Sequence, residues 1–498
     1  MEATRTDTKK NEMKYEKSEL ELMTTYQLRE ICRREKIMNG VIHPLDKEEL
    51  IQTIMRYMGK RQDFLICDKK KGGEERVEEF LKKTRIVIKP CKELYCQSQI
   101  LAYEGLSIEY YDGYTIPYKK ELSGTNAFLM GSDMTLCAIL NLKEHGGKQE
   151  KLYLTKAAEL ETRETQRKDY RIFCMGRQNS ECMYHLYYGE QTILPEHIEV
   201  YSIPLIDFVV RKPVTLMLPM AIDFGSVNTT AGVYLDSAYF EHLGQQAAIK
   251  NCRENEINYT VFEDGAGESM LLPSVIGVLA VEEEDDKLLF GYDAIRLANA
   301  SYVDEGFCVF YDVKRWIGEY EKEEEIVDRQ GRRRLVKRAE ILRRFFLYII
   351  RKTENRFKCR ISQVHISSPV KQKHYFRRMF REILPEYMIN QEIMLDEGMA
   401  VLYNTISSML EQDTLEENEE YEALIIDCGG GTTDLCSYRF RIQDRRAAYK
   451  IYMETTYENG DTDFGGNNIT YRIMQILKIA LVRATGNQNV SSVKEILE

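Results

Sequence analysis

Residues 216–236 read LMLPMAIDFGSVNTTAGVYLD, and residues 422–440 read EALIIDCGGGTTDLCSYRF. Both stretches have the same order: an apolar run that ends at an aspartate, a turn that contains glycine, hydroxyl-bearing side chains and a second apolar run. Apolar runs on either side of a glycine turn predict a β-hairpin. In the first hairpin we expect one strand to end at Asp223 and the next to start near Thr230. The sequence therefore predicts two hairpins of one kind, far apart along the chain.

The glycine turns of these hairpins suit a phosphate group, because a residue without a Cβ lets backbone N–H groups approach an anion closely. The residues of the two turns are Gly225, Ser226, Val227 and Asn228 in the first, and Gly429, Gly430, Gly431, Thr432 and Thr433 in the second. Asp223 and Asp427 each offer a carboxylate to the water shell of Mg2+. One such turn alone is equally consistent with an ordinary hairpin, whereas two from two halves of a domain can close around one Mg-phosphate group.

The pair ID-x-G-S and ID-x-GGGTTD resembles the superfamily of actin, heat-shock chaperones and sugar kinases. Six further segments, in the same order, are similar to the heat-shock chaperone (DnaK-type) branch: LLPSVIG (271–277), LLFGYDA (288–294), VFYDVKRWIG (309–318), VHISSPV (364–370), LDEGMAVLYN (395–404) and GDTDFGG (460–466). The resemblance implies an α/β fold for residues 216–498. The expected domain is an actin-like ATPase with ribonuclease H-like subdomains, its first lobe complete and its second lobe present in part.

The resemblance also implies roles for particular residues, with ATP and Mg2+ as cofactors. Asp223 and Asp427 would be ligands of metal-bound water, and Glu397 would lie in the outer metal shell. Lys314 would act near the terminal phosphate, together with Thr432 of the second turn. The glycine turns would form the phosphate cradle, and Pro369 with Arg377 would belong to a pair that links nucleotide state to interdomain signalling.

Two departures from the family pattern affect these expectations. The usual Glu-Pro is Glu397-Gly398 here, which removes a rigid turn. Only 32 residues follow Gly466, so we expect the adenosine-binding part of the second lobe to be missing and residues 1–498 to bind ATP poorly. The leading hypothesis is a chaperone-type ATPase that switches conformation and partner binding. The alternatives are an actin-like filament-forming ATPase, and a nonenzymatic module for nucleotide sensing or nucleic-acid-associated assembly.

Residues 18–60 are predicted to form two short helices. Thr24 with Gln27, and Asp46 with Glu49, have the spacing of a helix-capping box. Apolar residues follow each box at helical spacing: Leu28, Ile31 and Cys32 in the first helix, and Leu50, Ile51, Ile54 and Met55 in the second. The stretch resembles a SAP-like helix-loop-helix module, a family often associated with DNA, which implies weak DNA binding. A small helical interaction module is the interpretation that we favour for this stretch.

A second region, residues 76–215, is predicted to be a β-rich α+β domain. Residues 68–75 (DKKKGGEE) combine like charges with two glycines and predict a linker before it. Short runs rich in Tyr, Ile and Val then recur as far as Pro213, and Asp112-Gly113 is a candidate hairpin turn. None of the His or acidic residues in this region has a spacing typical of a catalytic or metal site.

Composition limits the class of protein. The 498-residue chain is long enough for about three domains. Its net charge of -11 opposes nonspecific binding of nucleic acid by the chain as a whole. The first twenty residues contain no apolar core of a signal peptide, and twelve irregularly spaced cysteines without a CxxC pair favour free thiols. From these features we expect a cytoplasmic protein that does not bind a membrane. The resemblance to the chaperone family implies ATP or ADP, and a client or partner protein, as what it binds.

Overall fold

The computed structural model describes most of the chain. The described residues are 15, 17–34, 46–58, 64–96, 99–146, 150–243, 252–264, 267–283, 285–299, 307–328, 331–389, 395–444, 449–461 and 464–484. Within them no helix combines the length and the apolar character that crossing a membrane requires.

The N-terminal residues form three short helices, α1 (Lys17–Glu21), α2 (Thr25–Arg34) and α3 (Lys47–Met58). Both predicted capping boxes are confirmed. The Thr24 amide donates to Gln27 Oε1 at 2.8 Å and the Gln27 amide donates to Thr24 Oγ1 at 3.1 Å. Asp46 and Glu49 exchange the same two hydrogen bonds, at 3.1 and 2.9 Å. The predicted apolar faces pack together as one small core, while the loop predicted between α2 and α3 lies at residues 35–45, outside the described part.

The next region contains a curled seven-stranded sheet in the order β1-β8-β7-β4-β5-β6-β3. Its elements are α4 (Gly73–Lys83), β1 (Arg85–Lys89), β2 (Gln99–Tyr103), β3 (Thr115–Pro117), β4 (Thr125–Gly131), β5 (Leu136–Lys143), β6 (Lys151–Thr155), β7 (Tyr170–Met175), α5 (Arg177–Tyr188), β8 (His197–Leu205) and β9 (Asp207–Arg211). β1 lies parallel to β8, and the other neighbours in this sheet are antiparallel.

Both faces of the central strands of this sheet are buried, which explains why they read as nearly continuous apolar runs. Along β4, Phe128 and Met130 face a core that includes residues of α4 and α5. Ala127 and Leu129 alternate with them and face a second core on the opposite side. The strands expected in this region are therefore present, with a helical layer on one face.

Two local predictions in this region are wrong. Part of the predicted linker is helix, because α4 begins at Gly73. Gly73 also packs closely: a Cβ there would lie 2.6 Å from the Tyr187 ring. Asp112-Gly113 is not a hairpin turn. It ends a 3-10 helix (Tyr110–Asp112), and Gly113 takes the positive φ of 80° that stops the helix.

From residue 214 onward, the central sheet has the strand order β13-β12-β11-β23-β24, with β16 also paired to β12. The strands of this part are β10 (Val214–Thr215), β11 (Met220–Phe224), β12 (Asn228–Leu235), β13 (Glu256–Tyr259), β14 (Phe262–Glu263), β15 (Glu268–Ser269), β16 (Leu272–Pro273), β17 (Ile276–Ala280), β18 (Lys287–Phe290), β19 (Val309–Phe310), β20 (Glu323–Val327), β21 (Arg333–Lys337), β22 (Cys359–Arg360), β23 (Gln363–Ile366) and β24 (Met388–Ile389). The helices are α6 (Ser237–Leu243), α7 (Tyr292–Asn299), α8 (Arg338–Phe357) and α9 (Lys373–Ile383), with 3-10 helices at Val313–Glu319 and Val370–Gln372.

Side chains along β11 alternate between the hydrophobic core and the opposite face of the sheet. Ile222 and Phe224 point into a core shared with Phe346 of α8 and Phe380 of α9. Ala221 and Asp223 lie on the opposite face and are exposed. This face of the sheet carries Asp223, one of the site residues predicted from the sequence.

The last described part packs α10 (Glu397–Glu411) on a three-stranded antiparallel sheet of β25 (Glu420–Cys428), β26 (Thr433–Asp444) and β27 (Tyr449–Asp461). Leu402 and Ile406 of α10 share a small core with Tyr438 and Phe440 of β26. The terminal helix α11 (Gly466–Ala484) has no buried residue.

Candidate functional site

The two predicted hairpins have the same backbone turn. The Gly225 amide donates to the Asn228 carbonyl at 3.1 Å, between β11 and β12. The Gly429 amide donates to the Thr432 carbonyl at 2.9 Å, between β25 and β26. A Cβ on Gly225 would lie 2.3 Å from the Asn228 carbonyl oxygen, so this turn requires glycine. The first hairpin's second strand starts at Asn228, two residues before the predicted start.

The two turns meet each other. A Cβ on Gly430 would lie 2.3 Å from Val227 Cγ2, and a Cβ on Gly431 would lie 2.8 Å from Ser226 Oγ. Glycine at both positions therefore allows turns from two sheets to approach within van der Waals distance. The start of α11 contacts the second turn, where the Gly466 amide donates to the Gly429 carbonyl at 2.9 Å.

A cavity of about 630 Å3 opens beside the meeting turns. The predicted residues that line it are Asp223, Gly225, Ser226, Val227, Asn228, Lys314, Glu397, Asp427, Gly429, Gly430 and Thr432. Two predicted residues do not line it: Gly431 faces Ser226, and Thr433 donates through Oγ1 to the Phe464 carbonyl at 3.0 Å. The volume lies in the range typical of small-molecule sites.

Nine lining residues were not predicted from the sequence: Pro219, Ala221, Ile222, His365, Ser367, Leu395, Ala400, Val401 and Asn404. Ser367 donates through Oγ to Asp223 Oδ1 at 2.8 Å and so fixes that carboxylate. His365 lies beside Ala221 in the parallel register of β11 and β23, and its Nε2 is buried with no hydrogen-bond partner among the described residues. Strand alternation alone could not place His365 and Ser367 on the same face as Asp223. That placement also requires knowing that β11 pairs with β23.

Lys314 is not a surface lysine. It lies on the 3-10 helix Val313–Glu319, and its Nζ forms an ion pair with Glu397 Oε1 at 2.7 Å. The two side chains are only 5% and 11% exposed. Burial raises the pKa of Glu397 to about 7; Lys314 opposes this shift, and the nearby charges of Asp223 and Asp434 add to it.

Asp434 provides a further carboxylate next to the second turn. Asp434 is 3% exposed, and its Oδ2 has no hydrogen-bond partner in the described part of the chain. Burial raises the pKa of this carboxyl; Lys314 opposes the shift and Asp427 adds to it. The sequence showed that Asp427 and Asp434 flank the turn, but it did not show that Asp434 is buried near Lys314.

The described residues contain no group of three or more His, Cys, Asp or Glu side chains arranged to hold a metal ion directly. The site nevertheless fits a hydrated cation, because Asp223 and Asp427 line the same cavity and Asp434 Oδ2 is buried without a partner. Carboxylates that line one cavity can accept hydrogen bonds from waters of Mg2+, which retains several of its waters in proteins.

The remaining predicted residues lie away from the cavity. Pro369 precedes the 3-10 helix Val370–Gln372, and Arg377 lies on α9 with its Nε buried and without a partner in the described part. Gly398 has a packing role: a Cβ there would lie 3.0 Å from both Cys436 Sγ and Tyr438 Oη. Gly398 thus lets the start of α10, and with it Glu397, approach β26 closely.

This arrangement brings together two glycine turns, several carboxylates and one buried ammonium group. Such a set can bind a phosphate group that is accompanied by a hydrated divalent cation. Comparison with models of protein families and with curated proteins found no match to this chain.

Proposed function

We propose that residues 216–498 form an actin-like ATPase domain of the DnaK type. It binds Mg-ATP between the two glycine turns and uses hydrolysis to switch conformation and partner binding. The observation that carries the proposal is the meeting of two turns with one shared hydrogen-bond pattern. They meet beside a cavity that also contains Asp223, Asp427 and the Lys314–Glu397 ion pair.

The chain's contribution to catalysis is positioning rather than covalent chemistry. Amides of the two turns bind phosphate oxygens, and Asp223 and Asp427 hold water molecules around the accompanying cation. A bound Mg2+ supplies charge neutralisation at the phosphates. Lys314 places its ammonium group at the terminal phosphate, and Glu397, whose pKa is about 7, orients the attacking water and can take its proton near neutral pH.

Substitution of the turn glycines tests this proposal in the full chain. Gly225→Val and Gly430→Val each place a side chain against atoms 2.3 Å from the position of a Cβ. We expect both variants to weaken ADP binding, measured by calorimetry with Mg2+, by roughly tenfold or more, because the turn must deform. Gly267→Ala is the control, since a Cβ there meets no atom within 4 Å.

Phosphate release and sedimentation, measured on the same proteins, separate the three functions. Release of phosphate by the parental protein, lost in both turn variants, supports the ATPase. ADP binding without phosphate release supports a nonenzymatic nucleotide sensor, and ATP-dependent pelleting supports a filament. Parental affinity in both variants would overturn the assignment of the turns.

A further inference from the structure

Asp312 has a left-handed backbone conformation. Its φ of 53° and ψ of 38° cost an L-residue other than glycine about 1 kcal/mol or more, although aspartate and asparagine adopt this conformation more readily than other side chains do. The residue begins the 3-10 helix that carries Lys314. The left-handed turn buries Val313, which is completely inaccessible, and directs Lys314 into the cleft. Glycine would make the same turn at lower cost, so the presence of a carboxylate needs a separate explanation.

The two oxygens of the Asp312 carboxylate have different surroundings. Oδ2 forms an ion pair with Arg315 Nε at 2.6 Å. Oδ1 is buried and has no hydrogen-bond partner within the described residues. A buried acceptor that is left unpaired costs about 1–3 kcal/mol, so a strained residue with such an atom beside a site is a candidate for ligand contact.

Oδ1 also lies where the two glycine turns meet. A Cβ on Gly431 would be 3.3 Å from Asp312 Oδ1 and 2.8 Å from Ser226 Oγ. Lys314 does not hydrogen-bond to this oxygen, and its Nζ pairs with Glu397 instead. A carboxylate in this position repels a bound phosphate unless a cation or a proton donor lies between them.

We infer that Asp312 is a further ligand-binding residue of the cleft, whose Oδ1 accepts a hydrogen bond from a water molecule in the shell of the Mg2+ that accompanies the nucleotide. The inference rests on the proposed function. It gives Asp312 the same role as Asp223 and Asp427. The carboxylate then favours the nucleotide with its cation and disfavours the nucleotide alone.

Opposite effects on binding of the nucleotide with Mg2+ and without Mg2+ would distinguish a ligand-binding role of Asp312 from a structural role. The test measures ADP affinity of the full chain by calorimetry, once with Mg2+ and once with EDTA. Asp312→Asn keeps the shape and tolerates the left-handed backbone but removes the charge. We expect it to weaken Mg-ADP binding roughly tenfold while metal-free ADP binds as tightly as before or more tightly.

Three further variants complete the design. Asp312→Gly also removes the carboxylate without backbone strain and should reproduce Asp312→Asn, whereas Asp312→Ala should in addition lower the melting temperature. Asp293→Asn is the matched control, because Asp293 pairs with Arg296 three residues later on the surface of α7, as Asp312 pairs with Arg315. Asp223→Asn is the positive control for loss of Mg2+ dependence.

The outcomes distinguish this inference from the proposed function. If Asp223→Asn reduces the Mg2+ dependence and Asp312→Asn does not, the role of Asp312 is overturned and the proposed function stands. Equal weakening of both forms of ADP by Asp312→Asn would assign a purely structural role and also overturn the inference. Absence of ADP binding by the parental protein in either buffer would remove both.

Discussion

Lys314 and Glu397 come from different elements, and their ion pair is almost fully buried. Loss of the ammonium group leaves an unpaired buried carboxyl beside the phosphate site, and it removes a charge that counts most as the phosphoryl bond breaks. We therefore expect Lys314→Ala to lower single-turnover phosphate release roughly 100- to 1000-fold, about 3 to 4 kcal/mol, with little change in equilibrium ADP affinity.

The control for this prediction is Lys322→Ala, because Lys322 is 60% exposed and forms only a surface pair with Glu319. Hydrolysis at the parental rate in Lys314→Ala would limit Lys314 to a structural partner of Glu397. The sequence argument for a chaperone-type ATPase over a filament protein would then lose its main support.

Glu397 provides a prediction about stability and pH. Its folded-state pKa of about 7 lies above the value of 4.5 for an unperturbed glutamate. Between these values the folded state binds more protons than the unfolded state. The free energy of unfolding therefore falls as pH rises from 4.5 to 7, by about 3 kcal/mol from this group, and levels off above 7.

Glu397→Gln should remove that part of the pH dependence. The measurement is the difference in urea unfolding free energy between variant and parent at pH 5, 6, 7 and 8, which cancels the other titrating groups. Glu321→Gln, at a side chain that is 69% exposed, should show a constant difference over the same range. A constant difference for Glu397→Gln as well would place the Glu397 carboxyl in water rather than in a buried pair.

At the scale of elements, the start of α10 depends on a close approach to β26. Alanine at an exposed helix position is about 1 kcal/mol better than glycine, so propensity alone predicts that Gly398→Ala stabilises the protein. A methyl group 3.0 Å from Cys436 Sγ and Tyr438 Oη opposes this, because both neighbours are completely buried. We expect a net loss of about 1 kcal/mol for Gly398→Ala and about 2–3 kcal/mol for Gly398→Val.

Urea unfolding measures both changes, and the added substitution Cys436→Ala should recover part of the loss by giving the methyl group room. Gly318→Ala is the control, because a Cβ at Gly318 meets no atom within 4 Å. An increase in stability for Gly398→Ala would contradict the close packing of α10 on β26. The packing of α10 on β26 leaves no room for a side chain at position 398.

The sequence predicted local features well and pairings poorly. Capping boxes, glycine turns and strand ends depend on neighbouring residues, so Thr24–Gln27, Asp46–Glu49 and both hairpins could be read directly. Ser367 and Asp312 could not, because their importance depends on the pairing of β11 with β23 and on contact between turns from two sheets. Asp112-Gly113 was misread because a positive-φ glycine ends a helix as readily as it forms a hairpin turn.

At the scale of the whole molecule, the seven-stranded region and the part that begins at residue 214 share a buried interface. Leu106 belongs to the same apolar core as Phe357 at the end of α8. Lys358, which follows α8, donates through Nζ to the Ser107 carbonyl and to Asp112 Oδ2, both at 2.8 Å. The boundaries expected from the sequence therefore separate regions that are packed against each other.

The buried Lys358–Asp112 pair is the place to test this interface. The two side chains are 6% and 13% exposed, and burial raises the pKa of Asp112 against the opposing effect of Lys358. Removal of one partner leaves the other polar group buried without compensation, so Lys358→Met and Asp112→Leu should each lower the free energy of unfolding by about 3–5 kcal/mol. The double variant should recover only part of this loss, because two apolar side chains replace the pair while the Ser107 carbonyl and the Glu109 amide lose their side-chain partners.

Arg351 and Glu159 bridge the same two regions at 3.5 Å on the surface, 71% and 49% exposed, and the matched cycle on them should give a coupling of at most about 1 kcal/mol. Urea unfolding of the seven proteins, the parent and three variants for each pair, followed by limited proteolysis to detect separation of the regions, measures both couplings. Additive losses at Lys358 and Asp112 would mean that this pair contributes no coupling between the two regions.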